Sequence, residues 1–136
     1  MPEPVLLDTH VALWWVAGAQ QRLSDAALSV LESDALLHVS PVSCWEIGML
    51  VERGRVALDR EVHDWVDALL AHERVELAAL VPRAAVAAAQ LPDFHGDPAD
   101  RMLWATAAQA PLRLLTKDRR LRAYAEARPG DVTVVW

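Results

Sequence analysis

Val5-Leu6-Leu7-Asp8-Thr9-His10 opens with three apolar residues and stops abruptly at an acid. An uninterrupted apolar run this short fits a strand buried on both faces, as strands are inside a parallel sheet. Working outward, residues 10–16 read as a short helix that breaks near Gly18, and Ser24 as the N-cap of a second helix through residue 31. A second strand spans residues 36–39. Ser40 and Pro41 then supply the cap and first-turn proline of a helix that stops before Gly54. Val62, Trp65, Val66, Leu69 and Leu70 recur with helical period. Residues 75–80 make a third strand and 82–91 a helix. After a polar loop, Asp97 and Pro98 start a helix to residue 110. Strand 112–115, helix 119–127 and strand 132–136 close the chain. Strands alternating with helices throughout predict an α/β fold around a mainly parallel sheet.

At 136 residues, 54% of them hydrophobic, the chain is the size of one domain, expected to span 1–136. Mean hydropathy is positive, yet no apolar stretch approaches the roughly 20 residues needed to cross a bilayer. Glu3 in place of a basic residue, and the halt at Asp8, argue against a signal peptide. The lone cysteine, Cys44, forms no internal disulfide, which agrees with a reducing cytoplasm; an inert thiol is its plain reading. Net charge of −6 opposes broad affinity for nucleic acid, although residues 100–136 hold seven basic groups against four acids.

Acids recur where such a fold collects ligands, outside the carboxyl ends of the strands. Asp8 follows the first strand, Glu46 lies early in the helix after the second, Asp97 and Asp100 open the helix before the fourth, and Asp118 lies two residues beyond Thr116 at that strand's end. Carboxylates gathered there would repel one another unless a cation neutralised them. Oxygen ligands without a His or Cys cluster favour Mg²⁺ or Mn²⁺ over zinc, and such an ion suits phosphodiester hydrolysis. Each acid also has a structural explanation. Asp97 and Asp118 can be helix caps, Asp100 an acid facing a helix dipole and Glu46 an exposed helical residue. Asp8 is hardest to explain so, because a charge placed straight after a buried strand needs a partner.

Taken together these segments resemble the PIN-domain family. Leu6-Leu7-Asp8-Thr9-His10 is similar to its opening motif, and Ser40-Pro41-Val42-Ser43-Cys44-Trp45-Glu46-Ile47, running on to residues 54–58, to its second. Residues 95–103 (His-Gly-Asp-Pro-Ala-Asp-Arg-Met-Leu) resemble the third and Leu115-Thr116-Lys117-Asp118 the fourth. The order is that of the family, and the toxin ribonucleases of the VapC type are most similar. The resemblance implies a three-layer sandwich with a central sheet of about five strands, and an acidic metal site of Asp8, Glu46, Asp100 and Asp118 binding Mg²⁺ or Mn²⁺. It implies Thr116 as a supporting hydroxyl, with Thr9 and Arg101 in support, and Asp97 as a further acid. It also implies an RNA substrate, a homodimer, and a cognate antitoxin that plugs the site with a basic side chain. Ala99 stands where the family usually has an aromatic residue.

Three rival readings differ in specific residues. A receiver-type signalling module needs paired acids after the first strand and an Asp after the third, where Val81-Pro82 stands. A non-catalytic PIN-like domain binding RNA or protein would not require the full acid set. A DNA nuclease would share the chemistry, since nothing in the sequence senses a 2′-hydroxyl. Trp14, Trp15, Trp45, Trp65 and Trp104 read as core or dimer packing rather than base-stacking platforms. Arg101 can pair with an acid or hold a phosphate, and His10 and His95 are expected to hydrogen-bond near the site rather than ligate metal.

Overall fold

A computed structural model describes residues 2–136 of the chain. The described strands are β1 (Val5–Leu7), β2 (Leu37–Val39), β3 (Val75–Leu77), β4 (Arg113–Leu115) and β5 (Val134–Val135). Between them lie α1 (Thr9–Ala17), α2 (Asp25–Glu32), α3 (Pro41–Glu52), α4 (Val62–Ala71), α5 (Pro82–Ala89), α6 (Pro98–Gln109) and α7 (Arg119–Ala127), with a 3-10 turn at Gln20–Arg22. The strands form one sheet in the order β3-β2-β1-β4-β5, and every pairing is parallel.

Alternation of side chains along each strand divides the core in two. Val5, Leu7, Leu37, Val39 and Leu115 pack with apolar residues of α1 to α4. Leu6 and Leu114 enter a second cluster with Leu103 and Trp104 of α6 and Leu121 and Tyr124 of α7. The sheet is therefore the middle of three layers, and β1 is completely buried. Sequestering each such Val or Leu side chain contributes roughly 1.5–3 kcal/mol, which explains why a three-residue strand suffices at the centre.

Helix starts follow local chemistry. Ser24, Ser40, Asp97 and Asp118 accept backbone N–H groups as caps, and Pro41, Pro82 and Pro98 occupy first turns. Helix α1 ends where Gly18 adopts φ 68° and its N–H turns back to Trp14 and Trp15 carbonyls.

Two strands are shorter than the expected 75–80 and 132–136. Strand β2 ends at Val39 because Ser40 caps α3, so the Ala78 N–H to Val39 carbonyl bond (2.8 Å) is the last that β3 can make with it. On the other edge, β5 has register partners only in Leu114 and Leu115.

Arg74 closes the far end of the molecule. Its guanidinium donates to the carbonyls of Val30 (3.3 Å) and Leu31 (2.5 Å) in the last turn of α2 and of Ala35 (3.0 Å) just beyond it. Arg74→Met, which keeps the apolar stem, is expected to lose about 2 kcal/mol in chemical denaturation. A loss below about 0.5 kcal/mol would mean that water satisfies these carbonyls equally well.

Candidate active site

The chain winds outward from β1 to β2 and β3 along one side of the sheet, then returns to β4 and β5 on the other. Strands β1 and β4 thus meet where the winding reverses, and in such sheets a crevice opens beyond their carboxyl ends. Leu7 and Leu115 are register partners there, so the residues that follow them, Asp8 and Thr116, lie side by side. The Asp8 N–H donates to the Leu115 carbonyl at 3.0 Å. The Thr116 hydroxyl donates to Asp8 Oδ2 and accepts from the Asp118 N–H at 3.0 Å. Asp8 Oδ1 takes the Thr9 N–H at 2.7 Å, which makes Asp8 the cap of α1 as well.

Two helices bring further acids. Glu46, in the second turn of α3, receives a hydrogen bond from the hydroxyl of buried Thr9, which also contacts Ser43 Oγ at 2.9 Å. Asp100, third residue of α6, is 8% exposed. Its Oδ2 accepts from His95 Nε2 at 2.8 Å, and an Arg120 nitrogen lies 3.9 Å away. Asp97 caps α6 by accepting the Asp100 N–H at 3.2 Å. Asp118 caps α7, its Oδ1 accepting from Arg120 and Leu121 N–H groups at 2.8 and 3.1 Å.

Among the described residues, Arg101 makes no ion pair with an acid. It donates instead to the carbonyls of His95, Ala88 and Phe94 at 3.0, 2.9 and 3.0 Å. The guanidinium binds the segment before α6 to that helix and so holds His95 in place. Arg113 and Arg128 are likewise spent on backbone carbonyls of Glu3 and Pro92, so the basic C-terminal stretch is in part a set of structural clamps. Sequence reasoning missed Ser43 and Arg120. The only signal for Arg120 was its place in the first turn after Asp118, an acid already suspected.

Burial pushes the Asp8 carboxyl above its usual range, against the lowering effect of the Thr116 and Thr9 hydrogen bonds, with the charge of Asp118 raising it further. Glu46 is raised chiefly by desolvation and then by Asp8 and Asp97, with the Thr9 hydrogen bond opposing. Asp100 is pushed up to about 6, mainly by burial, with Asp8, Asp97 and Asp118 adding repulsion that the His95 hydrogen bond partly offsets. The five carboxylates therefore act on one another, although they come from four separate segments.

Among the described residues, no three His, Cys, Asp or Glu side chains stand close enough to form a finished ligand set for an ion. Each carboxylate is occupied with its own hydrogen-bond donor. The donor chemistry nonetheless suits a hard divalent cation: the groups are oxygen acids, partly desolvated and mutually repulsive.

A family model described as the PIN domain matches residues 5–127. The chain belongs to the PIN-domain family. Over 129 residues, 94% of this chain and 97% of the relative, the PIN domain is 44% identical to Ribonuclease VapC22 of Mycobacterium tuberculosis. Solved structures share its fold at lower identity. VapBC2 of Rickettsia felis, bound to a DNA fragment from its promoter, superimposes with a TM-score of 0.66 at 13% identity, covering 96% of each chain. FitAcB of Neisseria gonorrhoeae gives 0.60 at 19% identity, with 96% and 95% covered. VapBC-5 of Mycobacterium tuberculosis gives 0.58 at 19%, with 98% and 96% covered.

The raised Asp100 value carries a consequence for stability. The folded PIN domain binds that proton more tightly than an unfolded chain, whose value is near 3.8. The contribution is therefore fully present below pH 3.8 and is lost as pH rises through about 6. Asp8 and Glu46 are shifted in the same direction. In chelator at pH 7.5, Asp100→Asn should be more stable than the parent by on the order of 1 kcal/mol. The stabilisation that the parent gains on going from pH 7.5 to 5 should shrink in the variant. A melting temperature that falls on substitution would identify the carboxylate as a structural partner of His95 instead.

Proposed function

We propose that this PIN domain is a metal-dependent endoribonuclease and the toxin of a toxin–antitoxin pair. The observation that carries the reading is Asp8 at the reversal point of the sheet, with Glu46 and Asp100 each near enough to feel its charge and all three raised by burial. Arg120 forms a long ion pair with Asp100 at 3.9 Å, its side chain 60% exposed, so that one partly solvated cation faces a group of five acids. Identity of 44% to a ribonuclease over nearly the whole chain supports the activity and the substrate class.

Asp8, Glu46, Asp100 and Asp118 are the residues that would hold Mg²⁺ or Mn²⁺, with Asp97 at the rim as cap and additional negative charge. The bound ion would supply Lewis-acid polarisation of a phosphodiester and stabilise the leaving oxygen. The chain supplies orientation. Thr116 fixes Asp8, Thr9 fixes Glu46, and His95 fixes Asp100, so that hydrogen-bond donors hold three acids at the crevice despite their repulsion. Thr116 also ties Asp8 to the backbone of Asp118, coupling the ends of β1 and β4.

The expected partners are RNA, a second copy of the chain, and an antitoxin that inserts an Arg or Lys among the carboxylates, since a guanidinium forms charge-assisted bonds with such a group. Among the described residues no helix is long and apolar enough to cross a membrane. The lone Cys44 supports a reducing, cytoplasmic setting.

RNA cleavage is expected with Mg²⁺ or Mn²⁺ and not with EDTA, and Asp8→Asn should lower it at least 100-fold, on the order of the loss of one essential electrostatic group. Expressed alone in bacteria, the parent should arrest growth, the Asp8→Asn variant should not, and a co-expressed antitoxin should restore growth. Full cleavage in chelator would remove the metal from the mechanism. Equal toxicity of parent and variant would leave a binding protein without catalysis.

A further inference from the structure

Beside the acids, helix α1 presents a surface that the carboxylate chemistry leaves unexplained. A cavity of about 240 Å³ begins at Asp8 and Asp118 and continues to His10, Trp14 and Lys117. It shares His10 and Trp14 with a second cavity of about 630 Å³ that extends to Arg22 and Arg55. His10 and Trp14 lie one turn apart on α1, with ring centroids 5.8 Å apart. Trp14 differs from Trp104, which is 1% exposed in the core, in being only half-buried. Lys117 Nζ and the Arg22 guanidinium carbon each stand 5.8 Å from its ring centroid. The Trp136 ring lies 6.4 Å away, tilted by 54°. The indole is partly open, lies under two cations and is continuous with the acid site.

The charges around it select the ligand. Arg22, Arg55, Lys117 and His10 are all exposed in a molecule whose net charge is −6. A polyanion is repelled by the acids alone but is offered cations within one residue of them, since Lys117 directly precedes Asp118. Single-stranded nucleic acid is bound by this combination, in which aromatic rings stack bases and cations follow the backbone. A duplex would bury its base faces in its own stack and could not use the indole.

Resting on the ribonuclease reading, we propose that the strip from Lys117 across Trp14 to Arg22 is a substrate subsite for single-stranded RNA. A base next to the scissile phosphate stacks on Trp14, displacing Lys117 and Arg22 from over the ring, and the two displaced cations hold the adjoining phosphates. Trp14 and Lys117 are thus positioning residues, which set how RNA is presented to the acids without taking part in bond cleavage.

Two measurements test this. The first is steady-state cleavage of a single-stranded RNA with Mg²⁺ or Mn²⁺. Trp14→Leu should raise KM about tenfold or more with kcat changed much less, and Trp14→Phe, which retains a stacking face, should recover most of the loss. The second is fluorescence anisotropy of a labelled RNA 10-mer in chelator, using Asp8→Asn protein so that the oligonucleotide stays intact. Trp14→Leu in that background should weaken binding by a similar factor. Lys117→Gln should reduce the slope of log affinity against log salt by about 0.7, one phosphate contact on a single strand. Melting temperatures of all variants show whether the fold is kept.

Unchanged KM and unchanged anisotropy in Trp14→Leu overturn the subsite while cleavage by the parent keeps the nuclease reading. An equal loss in Trp14→Leu and Trp14→Phe overturns stacking as its basis. Should the parent cleave no RNA with any divalent ion, the nuclease reading fails, and the anisotropy measurement still decides the strip. Binding of a protein partner that depends on Trp14 while RNA binding does not would also overturn the proposal.

Discussion

The parallel pairing of β1 with β4 governs this molecule. It brings together residues more than 100 positions apart, and the register Leu7↔Leu115 makes neighbours of Asp8 and Thr116. One hydroxyl then serves two acids, donating to the side chain of Asp8 and accepting from the backbone of Asp118. A slip of one residue would turn Leu7 and Leu115 to the opposite layer and part the donor from its carboxylate. The apolar demand of the two cores and the geometry of the acid site are met by the same register.

Around that pairing, the protein holds like charges together by local means. Each acid has a donor from its own or an adjacent segment: Thr9 for Glu46, His95 for Asp100, and helix N–H groups for Asp97 and Asp118. Such bonds fix position without supplying full positive charge, so repulsion persists among the acids and stands available to a cation. Repulsion of this kind costs stability, and buried strands and helix clamps elsewhere in a fold offset such a cost.

Much of this was legible in the sequence. The abrupt change from Leu7 to Asp8, proline in the first turns of α3, α5 and α6, and helical spacing in α4 follow from local rules that tertiary context did not override. The acids could be located because strand ends and helix starts are visible as changes of pattern. Less was legible at the edges of the sheet, where strand length depends on where a partner stops: β3 ends because Ser40 turns β2 into a helix. Nor did Arg101 announce its role. Its three acceptors are backbone carbonyls, which every residue possesses and no side chain reveals. The partial exposure of Trp14 was hidden for a related reason, as a helical tryptophan has the same spacing whether it faces a core or a crevice.

The distance between Asp8 and Thr116 along the chain also sets when the site can exist. A ribosome adding roughly 5–20 residues each second needs on the order of 5 to 20 seconds to travel from one to the other. Throughout that interval β1 lacks its neighbour on one side, and the emerging polypeptide has three of its five acids at most until Asp100 appears. A product that stops short of β4 lacks both Thr116 and Asp118. Assembly of the acid cluster therefore waits on synthesis of β4 and the residues that follow it, an order imposed by strand topology alone.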